Sequence, residues 1–248
     1  MSQAAETKRL LKSLNLSWSN NNLDTLLQQA NSTDLSYLDF LSEILRGELN
    51  YRDKRSEERR MKTAGFKSMH TIEEFDFEFQ RSITRKQVNQ ILDLHWVDKA
   101  YNLVFLGPPG VGKSHLATAI SLEAVKKGYK VSFVSMENLI RYLKTQETSP
   151  RSRQMLKRTM SADLVVIDEI GFLPITRQEA NMFFQLVSAL YEQTAMIITS
   201  NKGFEDWAEL MGDPVITTAI LDRIAHHSEV FNLKGESYRL KNRDTILK

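Results

Sequence analysis

The chain has 248 residues, 42% of them apolar and 26% charged, the proportions of an ordinary globular protein rather than a disordered, collagenous or low-complexity one. It contains no cysteine, which excludes a disulfide framework, a Cys-based zinc site and thiol catalysis and fits a reducing compartment. A formal net charge of +2 names no partner by itself, and no apolar run approaches the length of about 18 residues that a membrane-spanning helix needs.

The segment Met1–Lys12 is polar and lacks the apolar core of a signal peptide, so the expected location is the cytoplasm. Residues 1–65 read as a small all-helical domain. Lys8–Leu14 is a short apolar-periodic segment, Asn15–Asn22 a turn and Leu23–Ala30 a second helix. Asn31, Ser32, Thr33 and Asp34 offer N-cap side chains. Leu35, Leu38, Leu41, Leu45 and Leu49 follow at spacings of three and four, one face of a long helix that ends near Gly65. That stripe reads as the core of the helical domain; self-assembly, or contacts with a partner or DNA, is the other use for it.

Residues 66–82 read as a linker docked on the following domain. In Phe75–Phe79 the aromatics alternate with acids, the period of an extended segment with one buried face. A helix is expected from Thr84 to Lys99. From Tyr101 short apolar runs alternate with helical stretches: Asn102–Leu106, Lys130–Ser135, Leu164–Asp168, Met196–Ser200 and Glu229–Leu233 read as strands. Alternation of this kind implies an α/β domain over residues 83–248, with a parallel sheet and crossover helices.

Gly107, Pro108, Pro109, Gly110, Val111, Gly112, Lys113 and Ser114 match G-x-x-x-x-G-K-[ST] in full, between a predicted strand and a predicted helix. Glycines let consecutive N–H groups turn toward phosphate oxygens, and the helix start adds its positive end. Lys113 brings a point charge to the β- and γ-phosphates, and Ser114 is placed to ligate Mg²⁺. His115, next in the helix, is included among the ATP-binding residues. About 55 residues on, Leu164–Ile167 form a buried strand that delivers Asp168 and Glu169 at its C-terminal end, where ligands of parallel sheets bind. Asp168 would hold Mg²⁺ through its water shell, and Glu169 would deprotonate the attacking water. Asn201, at the end of a third strand, would bridge that water and the γ-phosphate.

These motifs, with Leu221-Asp222-Arg223-Ile224-Ala225-His226-His227, Gly235-Glu236-Ser237-Tyr238-Arg239-Leu240 and Phe204-Glu205-Asp206-Trp207, resemble the IstB family. These are the helper ATPases of insertion-sequence transposons, in the AAA+ clade of the helicase loader DnaC and the initiator DnaA. The resemblance implies an AAA+ P-loop core with strand order 5-1-4-3-2 behind a helical domain. It implies that Arg223 is an arginine finger acting in trans and Arg239 a sensor arginine contacting nucleotide. It further implies ATP and Mg²⁺ as ligands, a homo-oligomer formed with ATP on duplex DNA, an IstA-type transposase as partner and no role for a membrane. The chain reaches Lys248 soon after Arg239, so a separate C-terminal lid is expected to be small or absent.

Members like DnaA carry an extra helical element between the second and third strands. Here that interval is Met136–Ala162, where Arg141–Arg158 holds six basic residues against one acid. Lys144, Arg151, Arg153 and Lys157 are the candidate DNA contacts, in a basic loop with Thr145, Thr148, Ser149 and Ser152. His226 and His227 read as interface or core residues and not as metal ligands, for want of further ligands nearby in the sequence. Two competing readings share the ATP site: a DnaC-like loader acting on a replicative helicase and single-stranded DNA, and a small-molecule kinase, against which the Asp168–Glu169 pair argues.

Overall fold

The computed structural model describes residues 2–241, and the chain forms two compact units, Met1–Arg59 and Arg60–Lys248. In the first unit, α1 (Gln3–Ser13) and α2 (Ser17–Thr33) are joined by a turn in which Asn15 adopts a φ of 56°. The turn is thus shorter than the expected Asn15–Asn22, and α2 runs on through Asn31–Thr33, where caps for the next helix were expected. Asp34 instead ends α2 in the left-handed conformation, and the Ser36 hydroxyl accepts from Asp39 N–H to start α3 (Tyr37–Ala64).

The leucine stripe is not the core. Leu38, Leu41, Leu45 and Leu49 are 48–73% exposed in the single chain. The buried side of α3 is a quarter-turn away, where Phe40 and Ile44 are half-buried and Glu48 is 3% exposed. Ser19 donates to Glu48 from its N–H (3.0 Å) and hydroxyl (3.2 Å), and Arg52 Nε adds a bond of 3.3 Å. Burial alone would raise the Glu48 pKa; these donors outweigh it, and the net shift is downward. Gly47 leaves room for the Trp18 ring, which any Cβ would strike.

In the second unit, the last residues of α3 bring Ala64 into an apolar cluster with the linker that follows. Phe75, Phe77 and Phe79 do share one inward side, but through turns rather than an extended strand. Asp76 Oδ1 accepts from Glu78 N–H and Phe79 N–H, and Gln80 N–H bonds back to Asp76 O, which closes the turn. The expected single helix over 84–99 is broken in two. α4 (Arg85–Ile91) starts with a Thr84–Gln87 capping box, and α5 (His95–Asp98) follows after Leu94, which is fully buried at φ 63°.

The sheet comprises β1 (Asn102–Leu106), β2 (Val131–Ser135), β3 (Leu164–Ile170), β4 (Ala195–Ser200) and β5 (Ser228–Asn232), all parallel, in the order β2-β3-β4-β1-β5. Read from the other edge this is the 5-1-4-3-2 order that the resemblance implied. Alternate residues of each strand feed opposite faces. Leu103, Phe105, Val166 and Ile197 pack under α6 (Lys113–Lys126) and the linker. Val104, Leu106, Ile167 and Ile198 pack with α7 (Met136–Thr145), α8 (Pro150–Met160), α9 (Arg177–Leu190), α10 (Trp207–Met211) and α11 (Pro214–His226). A further helical turn, α12 (Tyr238–Lys241), follows β5. The result is a three-layer sandwich in which β1, an inner strand between β4 and β5, ends at the glycine-rich turn.

Candidate functional site

The turn after β1 is shaped by glycines. Gly107, Gly110 and Gly112 have φ values of 144°, 83° and 101°, a conformation that side chains resist. At Gly112 a Cβ would also come within 2.7 Å of the Phe75 ring, so the linker lies against the turn. Gly112 caps α6 with no side-chain hydrogen bond, which leaves the helix's first N–H groups for an anion. The Tyr238 N–H donates to Gly110 O at 2.9 Å, and Gln80 Nε2 donates to Val111 O at 3.0 Å and Lys234 O at 3.1 Å. Chain segments that precede and follow the sheet in sequence therefore fix the loop.

Lys113 is 8% exposed, and its Nζ donates to Gly107 O (2.6 Å) and Pro108 O (2.8 Å). Burial lowers its pKa to about 8, against the attraction of Asp168 and Glu169 and with some repulsion from Arg239. Ser114 donates its hydroxyl to Asp168 Oδ1 at 2.8 Å. Thr199 donates to the same oxygen at 2.6 Å and accepts from Glu169 N–H at 2.9 Å. One buried threonine thus sets both acids. It follows from register: β3 and β4 are neighbours, with an irregularity between Ile167 and Ile170 that spans the acid pair.

Glu169 adopts φ 66°, a left-handed conformation that costs a β-carbon roughly 1–2 kcal/mol. Its side chain is half exposed, and Oε2 lies 3.7 Å from Lys67 Nζ. Asn201, with its amide oriented to suit its neighbours, donates to Ile170 O and Gly171 O at 3.2 Å each, bracing the chain beyond Glu169.

A cleft of about 540 Å³ opens over these groups, within the range of small-molecule sites. It brings together Pro109–His115, Glu169, Asn201 and Arg239, with Phe75, Phe79, Gln80 and Tyr238 on its walls. His115 Nε2 pairs with Thr71 O at 2.7 Å, and its ring meets Phe75 edge-on, so it ties α6 to the linker. Burial, first, depresses its pKa. Sequence reasoning missed Thr199, Gln80 and Phe75 as parts of the site. Thr199 had a signal in the polar end of its strand; Gln80 and Phe75 had none, because their use depends on how the linker folds back.

Arg223 is not among the residues lining this cleft. It lies on α11 with its guanidinium 4.7 Å above the Phe184 ring and a bond of 2.8 Å to Ala219 O. The four candidate DNA contacts are exposed on α7 and α8. The expected basic loop is instead a helical turn whose hydroxyls are used internally. Thr145 and Ser152 share a bond of 2.7 Å, and Ser149 caps α8. Lys144 is engaged by Glu179 at 2.8 Å, and Arg153 donates to Glu147 O at 3.0 Å.

A family model described as IstB-like ATP binding protein matches residues 9–245. The insertion sequence IS21 putative ATP-binding protein of Pseudomonas aeruginosa is 43% identical over 238 residues, covering 96% of this chain and 90% of that protein. AMPPCP-bound DnaA from Aquifex aeolicus is similar in fold, with a TM-score of 0.56 at 21% identity over 71% of this chain and 54% of that one. The DnaC helicase loader has a TM-score of 0.51 at 22% identity, over 60% of this chain and 87% of that one.

Proposed function

As a member of the IstB-like ATP-binding family this chain is an ATPase on an AAA+ core, and we propose that it assembles on duplex DNA with ATP, clamps or bends the duplex and delivers it to an IstA-type transposase. ATP hydrolysis then drives disassembly. In this reading the backbone of Gly107–Gly112 and the start of α6 cradle the phosphates, and Lys113 turns from the loop carbonyls to the β- and γ-phosphates. The Ser114 hydroxyl and Asp168 carboxylate, 2.8 Å apart, are hard oxygen donors at the mouth of the turn and fit Mg²⁺. The ion, when bound, neutralises charge on the phosphates. Glu169 accepts a proton from the attacking water, Asn201 orients that water, and Arg239 approaches the nucleotide from the opposite wall. His115 holds the linker against the cleft.

The observation that carries the assembly is the placement of the two arginines. Arg239 lines the chain's own cleft, whereas Arg223 is held on Phe184 outside it. An arginine finger stabilises transition-state charge by about 10³–10⁵ in rate, and Arg223, outside its own chain's cleft, would do so for a neighbouring subunit's nucleotide. Hydrolysis would thus require oligomerisation. Lys144, Arg151, Arg153 and Lys157 are the proposed phosphate contacts on DNA, and residues 1–65 are proposed as a domain for self-assembly or partner contact, joined by the 66–82 linker to the ATPase domain 83–248.

Electron microscopy of Glu169→Gln with ATP, with and without a duplex, tests the reading. Regular particles that need both ligands and persist for want of hydrolysis are expected. Monomers under all conditions would overturn the assembly, and particles that form on single strands and recruit a replicative helicase would instead favour a loader.

A further inference from the structure

Three side chains that the nucleotide site does not use meet at the end of the sheet where β1, β4 and β5 begin. Glu192 lies in the turn between α9 and β4, His226 ends α11, and His227 is that helix's C-cap. Each brings one ligand atom to a point where all three lie within 4.8 Å of one another. Glu192 Oε1 is 3.8 Å from His226 Nδ1 and 3.8 Å from His227 Nε2. The sequence gives two adjacent histidines with no third ligand near them; the fold supplies the carboxylate.

The backbone under these groups is fixed. Asn102 N–H donates to His227 O at 2.7 Å, and Asn102 Nδ2 donates to Ile224 O at 2.9 Å, so β1 grips the end of α11. The Tyr101 ring stacks on the His227 ring at 5.0 Å and 7°. Glu192 adopts φ 57°, a conformation that a non-glycine residue holds at a cost and that turns its carboxylate toward the histidines. The Tyr191 hydroxyl shares a bond of 2.7 Å with His226 Nδ1. All three ligand side chains remain 38–52% exposed, open to an entering ion.

We propose that Glu192, His226 and His227 bind a divalent transition-metal ion of the Zn²⁺, Ni²⁺ and Cu²⁺ class. Two imidazole nitrogens and one carboxylate oxygen suit Zn²⁺, Ni²⁺ or Cu²⁺ over Mg²⁺ or Ca²⁺, which take oxygen ligands. Tetrahedral ligands at the usual ~2.0–2.1 Å from zinc lie roughly 3.4 Å apart, so the two carboxylate–imidazole separations of 3.8 Å, and the pair of histidine nitrogens within 4.8 Å, close by rotations of exposed side chains. The C-terminal end of α11 adds its negative dipole to the attraction. Water takes the fourth position, and the Tyr191 hydroxyl, displaced from the His226 lone pair, becomes an outer hydrogen-bond partner of the ion's ligands. Bound there, the ion clips the α9–β4 turn to α11, the helix that carries Arg223 one turn earlier. The site stands independently of the transposition reading.

The test uses the full chain without nucleotide. Calorimetry with Zn²⁺ and titration with Co²⁺ as a visible-light probe are expected to give one equivalent per chain with ligand-field bands of a four-coordinate ion, displaced by Zn²⁺. Glu192→Gln, and separately His226→Gln with His227→Gln, should weaken binding at least tenfold while circular dichroism and ATP affinity stay at the parental level. Zinc should raise the melting temperature of the parent and not that of Glu192→Gln. No uptake, bands of a six-coordinate ion only, or equal affinity in parent and variants would overturn the site.

Discussion

Lys113 is buried, with its ammonium turned to the carbonyls of Gly107 and Pro108. Burial lowers its pKa to about 8, so part of the population loses the proton just where a phosphate needs it. A triphosphate beside the ammonium reverses that shift. The sign follows: above pH 8 the free site is partly neutral and the bound site charged, so binding takes up a proton. ATP affinity should fall as pH rises from 7 to 9. Calorimetry at pH 8.5 in two buffers of different ionisation heat should register uptake approaching one proton, and little at pH 7. Equal heats in both buffers at pH 8.5 would mean that Lys113 keeps its proton in the free site and that burial does not lower its pKa this far. Thr199 and Glu169 show the other residue-scale device. One hydroxyl fixes the Asp168 carboxylate and the Glu169 backbone together, and Glu169 stays in a left-handed conformation that its position, not its side chain, explains.

The elements differ in what their apolar faces do. The leucines of α3 are exposed, while Leu23 and Leu26 of α2 are 4% exposed. Replacing Leu41 and Leu45 with glutamine should therefore change stability by less than about 1 kcal/mol, against roughly 2–5 kcal/mol for Leu26→Ala. Thermal unfolding of the isolated chain at low concentration separates the two, and a large loss from the α3 pair would return that stripe to the core. Amphipathic periodicity identifies α3 without saying which of its faces is covered. In α7 and α8 the pairing of Lys144 with Glu179 bears on DNA. Neutralising Lys144, Arg151, Arg153 and Lys157 should flatten the log–log salt dependence of duplex binding by about 0.9 per lost phosphate contact, and by nearer three contacts than four. An unchanged slope would remove α8 from the DNA surface.

At the scale of the whole molecule, the sheet separates two sites. The cleft proposed for nucleotide lies at the C-terminal ends of β1, β3 and β4, and the Glu192–His226–His227 cluster lies at the other end of the strands, beside the start of β1. Arg223 belongs to neither in its own chain. Arg223→Ala should bind ATP as the parent does and lose DNA-stimulated turnover by about 10³-fold. Mixed with Lys113→Ala, which keeps its arginine but cannot hold nucleotide, it should recover part of the activity. Two inactive variants that stay inactive together would argue that no arginine crosses between subunits.

The sequence alone determined the strand–turn–helix at Gly107–Ser114, the acids ending β3 and the five-strand alternation, because each rests on local spacing. Short apolar runs, glycines in a left-handed turn and a charged pair after a buried strand carry their meaning with them. The tertiary structure decided what depends on distant segments meeting. It turned the α3 leucines outward, folded the linker aromatics through turns onto the phosphate loop, and broke the 84–99 helix at Leu94. It also set both acids with Thr199 and brought Glu192 to the paired histidines. Neighbouring residues constrain one another through backbone geometry, which a sequence displays, whereas contacts across the sheet exist only once the chain has closed.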